Sequence, residues 1–101
     1  MRLVEKQMLE AIRNRNDFYC GNTQVRINGM FAFVYLHGNL IFGMNYETHV
    51  KAYNSCGWHT PTTKSRLNAL GADIYQKDGV WYHSDGSEFV DEDITKAMCR
   101  F

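Results

Sequence analysis

Hydrophobic side chains recur along this chain with two different periods. Over residues 3–15, Val4, Met8, Ala11 and Ile12 fall at helical spacing, while Glu5, Lys6, Glu10 and Arg13 take other positions on the wheel. That pattern predicts an amphipathic helix, and Asn14, Asn16 and Asp17 supply a polar end for it. Alternation takes over from residue 23. Residues 23–27 read as a strand, Asn28-Gly29 as a two-residue hairpin turn, residues 30–37 as the next strand, Gly38-Asn39 as the next turn and residues 40–44 as the third strand. Turns of that length set Tyr35 across from Phe42, Phe33 across from Met44 and Leu36 across from Ile41. A fourth strand over residues 49–53 rests on Val50 and Ala52 alone.

The predicted sheet has two apolar faces. One carries Val25, Ile27, Val34, Leu36 and Ile41; the other carries Phe31, Phe33, Tyr35, Phe42 and Met44, with Gln24 and Arg26 beside them. Such a sheet is covered on both sides or uses one side for binding. Beyond it, Thr60 is placed to cap a short helix that has Pro61 in its first position and Gly71 past its end. A hairpin over residues 74–83 turns at Asp78-Gly79, setting Tyr75 opposite Tyr82 and Gln76 opposite Trp81. The last segment, from Asp91, predicts a helix with Glu92 and Asp93 in its first turn and Arg100 in its last. Ile94, Ala97 or Met98, and Phe101 share one of its faces. Residues 1–101 thus read as one small α+β domain: N-terminal helix, antiparallel β-meander, short central helix, β-hairpin and C-terminal helix.

Composition narrows the function more than the fold. Eleven basic and eleven acidic side chains cancel, so the chain has neither the basic footprint of a duplex-DNA binder nor the charge of an acidic mimic. No apolar run reaches membrane-spanning length and no signal-peptide pattern follows Met1. Cys20, Cys56 and Cys99 are odd in number and widely spaced, which favours reduced thiols and a cytoplasmic setting.

Candidate chemistry gathers in residues 56–71. Free N–H groups at the helix start, the hydroxyls of Thr60, Thr62 and Thr63, and the cations Lys64 and Arg66 have the makings of an anion site. The competing reading is a capped surface helix, with Thr63, Leu67 and Leu70 inward and Lys64, Ser65 and Asn68 solvated. No glycine-rich loop precedes it, which excludes the usual nucleotide-triphosphate folds. Cys56 and His59 have zinc-chelating spacing, but a structural site needs four ligands and Cys20, Cys99, His37, His49 and His83 each stand singly. No metal and no cofactor is therefore expected. With no oxyanion loop and no paired carboxylates, no catalytic residue is expected either. The aromatic sheet face is a candidate platform for single-stranded bases, with Arg26 and Lys51 on phosphates, unless a terminal helix or the second hairpin covers it.

Three phrases stand in order along the chain. They are Tyr35-Leu36-His37-Gly38-Asn39-Leu40-Ile41, Gly57-Trp58-His59-Thr60-Pro61-Thr62-Thr63-Lys64-Ser65-Arg66-Leu67-Asn68-Ala69-Leu70 and Tyr75-Gln76-Lys77-Asp78-Gly79-Val80-Trp81-Tyr82. Together they resemble a family of small proteins encoded by tailed bacteriophages. The resemblance spans roughly residues 2–83 and leaves residues 84–101 outside it. It implies a phage accessory protein and brings no catalytic residues with it. The resulting expectation is a non-enzymatic protein that binds and modulates a host or host-defence protein in the host cell cytoplasm. A nucleic-acid module using the aromatic face and the Lys64–Arg66 helix is the alternative, and self-association is open. Binding is expected at Trp58, His59, Thr60, Thr62, Thr63, Lys64 and Arg66, with Trp81 as a neighbouring exposed aromatic. Trp58 itself reads either as an exposed anchor or as a plug in the core at the helix entrance. Loss of Arg66 is expected to cost little stability.

Overall fold

Helix α1, Leu3–Arg13, ends where Asn14 caps it and Arg15 turns left-handed at φ 55°. A computed structural model describes residues 1–98. The expected places of Arg100 and Phe101 on the last helix therefore lie outside the described residues. Met8, Ala11 and Ile12 of α1 are buried as the spacing predicts, but so is Glu5, while Val4 is only half-buried. Glu5 shares the i, i+3, i+7 stripe with Met8 and Ile12, and it can lie inside because Arg66 meets it there.

Five antiparallel strands follow in sequence order: β1 (Phe18–Cys20), β2 (Thr23–Asn28), β3 (Phe31–Leu36), β4 (Asn39–Asn45) and β5 (Lys51–Tyr53). The short edge strand β1 has no counterpart in the alternation pattern, and the expected fourth strand is the three-residue β5. Both meander turns sit one residue from their predicted places. Asn28 opposes Phe31 around Gly29-Met30, and Leu36 opposes Asn39 around His37-Gly38. His37 and Gly38 have φ of 52° and 78°, the left-handed pair that a tight hairpin turn requires.

Sliding a turn by one residue moves each partner by two and leaves the faces unchanged. The larger correction is a bulge. Tyr35 opposes Leu40 while Val34 opposes Phe42, so Ile41 is an extra residue on β4. One inserted residue inverts the alternation beyond it. Phe33 therefore opposes Gly43, and Phe42 and Met44 stand with Val34 and Ala32 instead of with the aromatic face. Ile41 and Phe42 both enter the main core, beside Met8, Val25, Val34 and Leu36.

Helix α2 (Pro61–Ala69) begins as predicted: the Thr60 hydroxyl accepts the Thr63 N–H at 3.1 Å and Pro61 takes the first position. Strands β6 (Ile74–Lys77) and β7 (Val80–His83) pair Tyr75 with Tyr82 and Gln76 with Trp81. Asp78 and Gly79, at φ 52° and 77°, make the turn.

Helix α3 (Ile94–Met98) starts later than the sequence suggests, because the residues before it are used as a strap. Asp91 accepts the Ser55 N–H at 2.7 Å, and Glu92 donates its N–H to the Tyr53 carbonyl at 2.9 Å. Asp93 then accepts the Lys96 N–H at 3.0 Å at the helix start. The strap lays Ile94 and Met98 over Phe31, Phe33, Leu40 and Ala52, which form a second apolar cluster. The sheet is thus covered on both faces. Gly43 permits the contact: a Cβ there would lie 2.6 Å from Ile94 Cγ2 and 3.1 Å from Met98 Cγ. Gly43→Val should therefore lift α3 and cost about 1–3 kcal/mol, as overpacking does. A chemical denaturation midpoint unchanged from the parent would show that α3 does not depend on this close approach.

Among the described residues no helix is long and apolar enough to cross a membrane.

Candidate functional site

The chain leaving β5 makes a turn fixed by its own side chains. The Asn54 carboxamide oxygen accepts the Cys56 N–H at 2.6 Å, the Ser55 hydroxyl accepts the Gly57 N–H at 3.2 Å, and Trp58 donates its N–H to the Ser55 carbonyl at 3.0 Å. Cys56 and Gly57 are both left-handed, at φ 55° and 77°. Asp91 holds buried Ser55 from behind through its N–H and its hydroxyl. A turn tied at this many points throws Trp58 outward, and its side chain is 60% exposed. The core-plug reading of Trp58 is corrected accordingly.

Trp58 stands beside a cleft of ≈ 500 Å³. Leu36 and Ile41 of the sheet form its apolar floor, and Thr60, Thr62 and Thr63 form the wall at the start of α2. His37 and Asn39 come in from the β3–β4 turn. The bulge at Ile41 and the shifted turn at His37-Gly38 put these sheet residues at the helix start. The sequence reading missed them because it placed that turn one residue later.

The other predicted site residues go elsewhere. The His59 ring is stacked on Trp81, with centroids 4.2 Å apart and planes 10° from parallel. Trp81 is 1% exposed and packs on Phe89 from another side, so it is a core residue and not an exposed anchor. Lys64 reaches the Gln76 side chain at 3.5 Å. Arg66 is 3% exposed. Its guanidinium donates to Glu5 Oε2 at 2.7 Å, to Thr23 Oγ1 at 3.0 Å and to Asn22 Oδ1 at 3.4 Å. Ser65 donates to the same Glu5 oxygen at 2.6 Å. Burial pushes the Glu5 carboxyl upward, but the hydrogen bonds from Ser65 and Arg66 outweigh it and hold the group below its usual range. The expected anion site therefore loses Arg66 to the interior. A signal was present: Thr63, Arg66, Leu67 and Leu70 share the i, i+3, i+4, i+7 stripe of a buried helix face.

Cys56 and His59 also part company, since the Cys56 thiol donates to the Leu40 carbonyl at 3.1 Å. Burial first, and the Asp91 charge second, push that thiol's pKa up, away from the thiolate a nucleophile or metal ligand needs. Among the described residues no group of three or more His, Cys, Asp or Glu side chains is placed to hold a metal ion. On the sheet, Phe31 and Phe33 pack against the α3 cluster instead of forming an open platform.

The Kyanoviridae Gp96 protein family matches the chain over residues 1–99. The chain belongs to this family. It is therefore a bacteriophage protein, in agreement with the resemblance carried by its three central phrases. The family match also takes in residues 84–98, which those phrases left out, and Phe89, Ile94 and Met98 of that stretch are buried. Residues 84–98 are thus part of the family's fold and not an appendage of this member. No curated protein and no solved structure is detectably similar to it.

Proposed function

We propose that this Kyanoviridae Gp96 family member is a non-enzymatic accessory that binds and modulates a host or host-defence protein in the host cell cytoplasm, using the Trp58 cleft. The observation that carries this reading is the exposure of Trp58 on a turn fixed by hydrogen bonds, next to a preformed cleft. An exposed indole forgoes a burial worth roughly 1.5–3 kcal/mol, and tryptophan is the residue type most enriched among binding hot spots. The chemical groups nearby favour binding over catalysis. The Cys56 thiol is pushed away from its thiolate form and His59 is stacked on Trp81, so neither makes a nucleophile–base pair with the other.

The nucleic-acid alternative draws less support. Its cation Arg66 is engaged inside the fold, and its rings Phe31 and Phe33 lie under α3. Trp58→Ala separates binding from folding. The variant should lose about 0.5 kcal/mol of stability or less, as exposed substitutions do. Its capture of a host protein from infected-cell lysate should weaken by a factor of about 30, the size of a hot spot worth ~2 kcal/mol. A Trp58→Ala variant that folds normally and retains its partner undiminished would remove the cleft from the interface.

A further inference from the structure

The cleft and a smaller groove of ≈ 400 Å³ share His37, and that groove is also lined by Tyr19, Gly21, Asn22, Gln24 and Gly38. Neither lining contains an aspartate, glutamate, lysine or arginine, although 22% of the chain is charged. Asp91, which is tied to Ser55 of the lining, is not itself part of that lining. The side chains of Leu36 and Ile41 that make the floor offer no polar atom. At the rim, the Asn39 amide, the His37 imidazole and the Thr62 hydroxyl make no hydrogen bond within the described residues and remain available. Trp58 lines the cleft and Tyr19, 73% exposed, lines the groove, with His37 common to both.

These features select a ligand by exclusion and by fit. A charged group drawn into such a site would be desolvated with no counter-charge. A nucleic-acid strand would find no cation for its phosphates. A sugar would press hydroxyls against a floor that cannot hydrogen-bond them. An apolar side chain suits the floor, and the amides of the main chain that carries it suit the free polar rim. We infer that the cleft is a socket for one uncharged apolar side chain, presented on an extended stretch of the partner's main chain that runs past His37 toward Tyr19. The inference rests on the reading above that the partner is a protein, and it names what that partner presents.

The test uses the full chain and small probes: N-acetyl-leucinamide and N-acetyl-phenylalaninamide, the corresponding lysine and glutamate derivatives, methyl glucoside, and a short oligothymidylate. Amide NMR shifts map the site, and Trp58 fluorescence gives an independent titration because Trp81 is buried. The two apolar amides should bind saturably, with Kd on the order of millimolar, and shift residues 36–41 and 58–63. Their binding should not weaken from low to molar salt, as expected without charge pairing, and any change should be the tightening that apolar burial shows. The charged derivatives should bind at least about tenfold more weakly. Thr62→Lys, which places a charge in the wall, and Trp58→Ala should each weaken the apolar amides about tenfold while keeping the parent's unfolding midpoint. Apolar amides that leave these residues unshifted, or a preference for the glucoside or the oligonucleotide, would overturn the socket. The two readings fail separately. Amide binding without any host protein partner would defeat the accessory reading and keep the socket. A host complex that leaves residues 36–41 unshifted would do the reverse.

Discussion

Arg66→Ala is expected to destabilise the protein by about 3–5 kcal/mol, the usual cost of removing one partner from a buried ion pair. Both partners are almost wholly enclosed, at 2% exposure for Glu5 and 3% for Arg66. Without the guanidinium, Glu5 keeps only the Ser65 hydroxyl and the Arg2 N–H as partners, and Thr23 loses the Nε donor that its hydroxyl accepts. The loss should appear as a lower urea midpoint with an unchanged slope. Replacing both partners by leucine should cost far less than the single change, since the penalty comes from an unpaired buried charge and not from absence of the pair. The same pair sets an acid limit. Because the Glu5 carboxyl is held below its usual range in the folded state, its stabilising effect is present above the unfolded pKa and is lost as pH falls through the lower folded pKa. Glu5→Gln should flatten this part of the pH–stability curve. A parent and variant with parallel acid unfolding curves would assign the acid limit to other groups.

Trp81→Ala should have an effect of the same size, about 3–5 kcal/mol, for a different reason. Trp81 is the largest of the fully buried side chains and packs on both His59 and Phe89, so its removal leaves a cavity beside those two rings. The contrast with Trp58→Ala is the sharpest test of the fold. One tryptophan should be nearly silent in denaturation and the other severe. The fluorescence remaining in Trp81→Ala should be strongly quenched by acrylamide, because it comes from Trp58 alone. Equal stability losses in the two variants would mean that the exposures of the two rings are wrongly assigned.

Local patterns in the sequence located every element except β1. Turn chemistry at Asp78-Gly79 set the β6–β7 register correctly, and the Thr60-Pro61 cap marked the start of α2 to the residue. What remained hidden was information that no local pattern holds. The bulge at Ile41 moved Phe42 and Met44 to the other face, and an insertion in pairing leaves no mark on a run of apolar residues. Glu5 and Arg66 are 61 positions apart, and each alone looks like an ordinary surface charge on an amphipathic helix. Trp58 and Trp81 were both read from composition and motif, but their fates depend on which hydrogen bonds fix the turn at Ser55 and on His59 and Phe89 closing over Trp81. Half of the cleft was therefore legible, namely the half on α2. The other half comes from the β3–β4 turn, and only the paired sheet brings it there.

The strap and α3 come last in the chain, yet they cover strands finished near its middle. During synthesis the meander is complete by Tyr53, while Ile94 and Met98 are still to be added. At about 5–20 residues per second, Phe31 and Phe33 remain uncovered for several seconds on each nascent chain. That interval is a window for chaperone capture or for contact between neighbouring nascent chains. A product cut short before Ile94 keeps the window open for its whole lifetime.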